Sequence, residues 1–314
     1  MAEGTIALPA PVVEEEAAPS AAIRFGRWLR NPWSKPRFLA LFTVLYLAWS
    51  LVPVVLAVLF SFNSGRSRSA LQGLSFRWYW GDPVDSVWHD PTFRSALYQS
   101  LKLAALTMLV AVPLGVLFAI GLDRWRGRSS GTQNFLMLFS FVTPEIIIGV
   151  SLFLVFIKLL TLIHLGTWAQ LLGLITFEMA YLVIIVRARL LSIGREYEEA
   201  AMDLGASPTR SLRLVLFPLL LPAIFASAMI VFADSIDDFV IVRYLSAGAS
   251  TETIPIRIYS TVRGAPTPAL NALASIMLFS TIVAVGLGLL VYRWLTRGER
   301  GAGQSGVKDF AAQI

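Results

Sequence analysis

Five carboxylates stand inside or at the ends of long apolar runs: Glu145, Glu178, Asp234, Asp237 and Asp238. An acid at the centre of a membrane helix costs about 2.5–3.5 kcal/mol on insertion scales, so each must face protein or water. On a helix, Asp234 and Asp238 lie one turn apart, on a face that can line a cavity, with Asp237 beside them. Three such groups repel one another unless a cation is near. Two readings follow: structural pairing, with Arg243 or Arg257 for the aspartates and Lys158 for the glutamates, or an anionic patch that attracts a cationic solute.

A second polar passage, Glu196–Pro218, interrupts the apolar pattern. A helix places Glu196, Glu199 and Asp203 on one stripe, while Ala200, Ala201 and Leu204 supply a small apolar surface. Gly205 ends that helix, and Ser207-Pro208 fit the N-cap and first position of the next. The spacing predicts helix, tight turn, helix, against the plainer alternative of a solvated loop. So short a first helix is marginal in water, where about 12–15 residues are needed, and requires something to dock against.

The elements that must position these residues are membrane helices. The chain of 314 residues is 56% hydrophobic and 15% charged, against roughly 45–50% and 25% for soluble domains. A bilayer core needs about 20 mostly apolar residues per helix, and six blocks qualify, near Phe38–Phe62, Ala96–Leu122, Phe135–Leu160, Trp168–Leu191, Leu214–Phe232 and Leu270–Trp294. The expected fold is an all-α integral membrane protein with six transmembrane helices.

Net charge is +6. With a cytoplasmic N-terminus, seventeen basic residues fall on the cytoplasmic side, among them Arg124, Arg187, Arg195 and Arg210, and seven on the other. That asymmetry is the positive-inside rule, so the charge reports orientation and not a nucleic-acid partner. Both ends are then expected in the cytoplasm, together with Glu196–Pro218. The expected organisation is a cytoplasmic tail with an interfacial basic segment (1–37), a permeating domain (38–296) containing a cytoplasmic loop (192–213), and a C-terminal tail (297–314). The early Glu14-Glu15-Glu16 and the full-length first apolar run argue against a signal peptide.

Outside the first span, Phe76, Trp78, Tyr79 and Trp80 form an aromatic group that reads as an interfacial belt or packed lid, or as a docking surface for an external partner. No cysteine occurs, which excludes disulfides and thiolate chemistry. Gly-x-Ser-x-Gly, His-Glu-x-x-His and a phosphate-cradling Gly-x-x-x-x-Gly-Lys are missing from the sequence, and the two histidines, His89 and His164, fall in expected external loops. No catalytic residue or metal site is therefore assigned, and no cofactor is expected on this chain.

Glu199-Ala200-Ala201, with Gly205 six residues after the Glu, then Val215, Phe217 and Pro218, resembles the EAA loop of ATP-binding-cassette importer permeases, which has Ile and Leu where Val215 and Phe217 stand. The resemblance implies type I importer architecture and a coupling helix, Glu196 to Ser207 including Asp203 and Ala206, that fits a groove in an ATPase subunit. It implies as partners an ATPase dimer that uses ATP and Mg, a second permease subunit, an extracytoplasmic solute-binding protein and the lipid of the bacterial inner membrane. Ser61-Phe62-Asn63-Ser64, Trp78-Tyr79, Asp237-Asp238 and the passage Thr253–Ser260 are similar to the polyamine branch, which implies a spermidine or putrescine cargo and a substrate pathway through the five acids. Glu178 and Ala180 depart from that pattern, where a neutral residue and a proline are expected. Another small solute of the same class is the first alternative. An ion-coupled carrier and an intramembrane enzyme are the others; six spans without an obvious repeat disfavour the carrier, and spans without a nucleophile–base pair disfavour the enzyme.

Overall fold

The computed structural model describes residues 37–67, 70–124, 130–263 and 267–295; the predicted N-terminal and C-terminal tails, Arg126 and Arg128 lie outside them. Everything regular among the described residues is helical apart from an isolated antiparallel bridge between Asn63 and Leu74. Helix α1 (Arg37–Ser61) carries the boundary between two compact units of the chain, which falls between Val54 and Val55. In its first part Thr43 Oγ1 donates to the Leu39 carbonyl at 2.8 Å and Ser50 Oγ to that of Leu47 at 2.9 Å. Both hydroxyls are thus satisfied within the helix, as an apolar surround requires.

The second unit holds α2 (Pro91–Arg124), α3 (Ser130–Val142), α4 (Glu145–Lys158), α5 (Thr167–Ile193), α6 (Glu196–Asp203), α7 (Pro208–Ser211), α8 (Phe217–Asp237), α9 (Val240–Tyr244), α10 (Ile254–Arg263) and α11 (Ala269–Leu295). Among the described residues five helical segments are long and apolar enough to cross a membrane: α1, α2, α5, α11 and the 30-residue run from Pro208 through α8. A sixth crossing exists if α3 and α4 are one span, and here the structure departs from the sequence reading. The block Phe135–Leu160 is not one straight helix but two, bent by 106° at Thr143-Pro144. Proline disfavours helical backbone in the residue before it and cannot donate to the preceding turn, so the chain restarts at Glu145.

The centre is a three-helix contact of α2, α5 and α8, cored by Leu103, Ala111, Leu174, Leu182, Val186, Leu216, Leu220 and Val231. Helix α2 offers it Ala104, Ala111, Gly115 and Ala119, all buried. Small residues at this spacing let backbones approach without a hydrophobic drive, the usual solution in membranes. At Gly115 the approach is closest, since an added Cβ would lie 2.5 Å from Leu182 Cδ2.

Candidate functional site

The carboxylates gather at one end of this core. Asp237 closes α8, and Asp238 Oδ1 accepts the Val242 amide at 3.0 Å, which anchors the start of α9. Glu178 projects from the middle of α5, where only 1% of it is exposed, and its Oε1 accepts from Ser235 Oγ at 3.3 Å. Its Oε2 is buried without a hydrogen-bond partner. Glu145, placed at the first position of α4 by the break at Pro144, completes the group: Glu178 interacts with Asp234 and Asp238, and Glu145 interacts with both aspartates. Asp237 is adjacent to Asp234. Asp234 and Asp237 are exposed on the surface of this chain, whereas Asp238 and Glu145 are half-buried.

The ion pairs among the described residues lie elsewhere. Arg257 pairs with Glu252 at 3.6 Å and leans over the Phe93 ring, so it does not serve the aspartates as the pairing alternative required. Lys158 sits at the far end of α4 from Glu145. Among the described residues no three acidic or imidazole side chains converge closely enough to hold a metal ion. The cluster is spread out, and it is bordered by aromatic rings that sequence reasoning passed over. Tyr181, one turn after Glu178, is within electrostatic reach of Asp234, Glu178 and Glu145. It packs edge-on against Phe141 (5.0 Å) and Phe177 (5.3 Å). Its i+3 spacing from Glu178 was the available signal. Distributed carboxylates beside aromatic faces suit an extended organic cation better than a point charge.

The second candidate, Glu196–Pro218, folds as its residues dictate. After α6 the amide of Gly205 donates to the Met202 carbonyl (2.9 Å) and that of Ala206 to Ala201 (3.0 Å), with Gly205 at φ +90°. This is the Schellman arrangement, which places its glycine where a Cβ is unfavourable. Ser207 then caps α7 by accepting from the Arg210 amide at 3.4 Å, and Pro208 takes the first position. Glu196, Glu199, Ala200 and Asp203 are exposed, and Ala201 and Ala206 are half-buried. Leu204 is 91% exposed and Tyr197 57%. The sequence reading missed the residues that tie α6 down. Glu198, not one of the predicted stripe, pairs with Arg124 at the end of α2, and Arg195 Nη2 donates to the Asp123 carbonyl at 2.9 Å. Arg124 is thus more than an orientation signal.

On the other side, Asn63 organises the loop after α1. Its Nδ2 donates to the Ser67 and Ala70 carbonyls, its Oδ1 accepts from Gln72 N at 2.8 Å, and its own carbonyl accepts from Trp78 Nε1 at 2.6 Å. Trp78 is fully buried with Val87, Phe93, Ile254 and Leu273, so this part of the aromatic group is a packed lid. Phe76 and Trp80 stack at 5.2 Å and remain exposed. Asp82 ties the turn, held down to about 2 by the Asp85 amide, then the Val84 amide, then the Arg77 guanidinium.

Helical spans and an acidic cluster buried at Glu178 and exposed at Asp234 and Asp237 define a multi-pass membrane protein. The chain belongs to the family described as binding-protein-dependent transport system inner membrane component, whose model matches residues 111–301. It is 34% identical over 282 residues to the putrescine transport system permease protein PotI of Escherichia coli (strain K12), covering 87% of this chain and 94% of that one. To the spermidine/putrescine transport system permease protein PotC of the same strain it is 33% identical over 259 residues, 82% and 95% of the two chains. Among solved structures it is similar in fold to a bacterial ABC transporter involved in the import of the acidic polysaccharide alginate, with a TM-score of 0.67, 16% identity and coverage of 87% and 99%. The fold is that of type I ABC importer permeases.

Proposed function

We propose that this chain is one permease half of an ATP-driven importer of linear polyamines, and that Glu145, Glu178, Asp234, Asp237 and Asp238 line the solute path. The observation that carries the reading is the cluster itself: carboxylates within mutual reach, bordered by Tyr181, Phe177 and Phe141, with Arg257 committed to Glu252. Gathering uncompensated carboxylates together is unfavourable, and an incoming diamine supplies the missing cations while its methylenes lie on the rings. The substrates in the names of the 33–34% identical relatives, putrescine and spermidine, have this chemistry.

Asp234 and Asp237 are exposed at the end of a membrane-crossing helix. Carboxylates there face protein or water rather than lipid, which supports a second permease subunit closing the path. The exposed face of α6, with Leu204 and Tyr197 projecting, is the docking surface for an ATPase subunit, which binds and hydrolyses ATP with Mg; residues 192–213 form the cytoplasmic coupling loop. Both termini are cytoplasmic in the bacterial inner membrane by the basic-residue asymmetry. The exposed Phe76–Trp80 face meets the solute-binding protein. A structural neighbour of the same fold was solved with its periplasmic protein. In the cycle, closure of the ATPase dimer moves Glu196–Pro208, the spans rock outward and accept solute, and hydrolysis returns them to the cytoplasm-facing state.

The test is uptake of labelled 1,4-diaminobutane by liposomes carrying the whole transporter. Asp237→Asn with Asp238→Asn is expected to lower uptake about tenfold or more while the ATPase still co-purifies. Unchanged uptake in that variant, or a wild-type transporter that ignores amines, removes the polyamine reading.

A further inference from the structure

Helix α2 is held at both of its ends by polar contacts to segments that flank the two candidate sites. At one end the charges alternate. Arg195 lies 3.8 Å from the Asp123 carboxylate and donates to its carbonyl, Arg124 Nη1 donates to Asp123 Oδ2 at 2.7 Å, and Arg124 Nη2 pairs with Glu198. The carboxylates are largely shielded, with side-chain exposures of 11% for Asp123 and 15% for Glu198. Ser211 Oγ also donates to the Glu198 carbonyl at 3.3 Å, joining the same turn to α7. An isolated exposed pair contributes little, whereas four partly shielded charges in a network with bifurcated donors fix a geometry.

At the other end, Gln99 Nε2 donates to Thr167 Oγ1 (2.9 Å) and Gln170 Oε1 (2.8 Å), and Gln170 Nε2 in turn donates to the carbonyls of Val242 (3.0 Å) and Thr251 (2.9 Å). The next residue, Ser100, accepts the Ile254 amide at 2.8 Å. These contacts hold α9 and the start of α10, the segment that follows Asp237 and Asp238 directly. One helix of 34 residues therefore connects the first turn of α6 with the segment behind the carboxylates.

We infer that α2 is a strut that carries displacement of α6 across the membrane, and that Arg124–Glu198 with Arg195–Asp123 is the latch that engages it. The covalent routes from α6 run forward through α7 into α8 and back through Gly194-Arg195 into α5; neither reaches α2. The latch adds α2, so a push on α6 moves α2 together with α5 and α8, and the helices around the carboxylate segment shift as a unit. With the latch broken, α6 still docks, but its first turn slips against α2, which no longer follows α5 and α8. The inference rests on α6 being the docking helix, and the residues of the latch are positioning residues that touch neither solute nor nucleotide.

The experiment measures diamine uptake per ATP hydrolysed by the complete transporter in liposomes. Arg124→Gln and Glu198→Gln are each expected to retain the ATPase and lower that ratio about tenfold, and the exchange Arg124→Glu with Glu198→Arg to restore at least half of it. A merely structural pair would reduce the yield of folded transporter and leave the ratio unchanged. A wild-type ratio in the single variants, or an exchange no better than they are, overturns the strut. Because the chain has no cysteine, Arg124→Cys with Glu198→Cys and a short thiol cross-linker gives a second measurement for the case in which single variants fold poorly. A latch closed throughout the cycle predicts a cross-linked transporter with its ratio intact, and abolished transport on cross-linking overturns it. Loss of the ATPase from Leu204→Glu supports the docking surface itself; an ATPase still bound to that variant faults the docking reading, independently of the latch.

Discussion

Replacing Gly205 with valine isolates one physical quantity. An added Cβ at this position meets no heavy atom within 4 Å, so sterics with the rest of the protein contribute nothing. What remains is the backbone. Gly205 sits at φ +90°, and left-handed conformations cost an L-residue about 1–2 kcal/mol, with a β-branched side chain at the upper end. Since about 1.4 kcal/mol is tenfold in an equilibrium, the fraction of loops holding both turn hydrogen bonds, Gly205 to Met202 and Ala206 to Ala201, falls by roughly 5–30-fold. Helix α6 has eight residues and too little stability of its own to compensate. The spans, whose core lies elsewhere, are untouched. The expected result is normal membrane yield with ATPase association and diamine uptake both reduced by about tenfold, whereas Gly205→Asn, which tolerates a left-handed backbone, stays close to the parent. Wild-type uptake in the valine variant refutes the role of the turn. An asparagine variant as impaired as valine refutes the conformational explanation.

Three further outcomes are expected. Asp82 is held near 2 against an ordinary value of 3.8, so its contribution to the lid after α1 is complete above about pH 4 and is lost as pH falls through about 2. Amide hydrogen exchange at Val84 and Asp85 should accelerate over that window, and Asp82→Asn should exchange fast at every pH; a flat profile in the parent contradicts it. Gly115→Val forces a carbon against Leu182 and should destabilise the α2–α5 contact by about 1–3 kcal/mol in thermal unfolding, with Leu182→Ala partly relieving it. Trp78→Phe removes the indole donor from the Asn63 carbonyl and should cost about 1–3 kcal/mol of lid stability, measured by protease cleavage of the loop after α1.

Much of this was legible in the chain because membranes impose one-dimensional rules. Span lengths follow from bilayer thickness, and Gly205, Ser207 and Pro208 announce their turn because each occupies the position its backbone chemistry favours. The break between α3 and α4 was less legible: hydropathy runs on through Thr143-Pro144, and proline is tolerated in membrane helices often enough that its presence alone does not predict a bend of 106°. Contacts between elements were not legible. Glu198 and Glu199 are neighbours in an acidic run, and only the docking of α6 onto α2 makes the first a tether and leaves the second exposed. Likewise Arg257 stood as a partner for the aspartates until folding placed Glu252 beside it.

The separation of the two sites limits how they can communicate. Helix α8 has 21 residues, so at 1.5 Å each the turn preceding it and Asp237 at its end lie about 30 Å apart. Over that distance two unit charges interact by about 0.5 kcal/mol at an effective dielectric of 20, and by far less once water and salt enter the path. Field effects from the proposed nucleotide-bound partner at α6 are therefore too weak to reset five carboxylates that repel one another at much shorter range. Mechanical displacement has no such decay. Close-packed cores transmit small shifts because they have few voids to absorb them, and Gly115 of α2 lies directly against Leu182 of α5. Movement of whole helices is then the means by which the turn at Gly205 can reach Asp234 and Asp238, and the stiffness of the α2–α5–α8 core becomes a requirement of transport as well as of folding. On this argument a variant that loosens the core without unfolding it, such as Leu182→Ala at a fully buried position, should keep ATP hydrolysis and lose uptake; a loosened core with full uptake per ATP would mean that the signal travels outside these three helices.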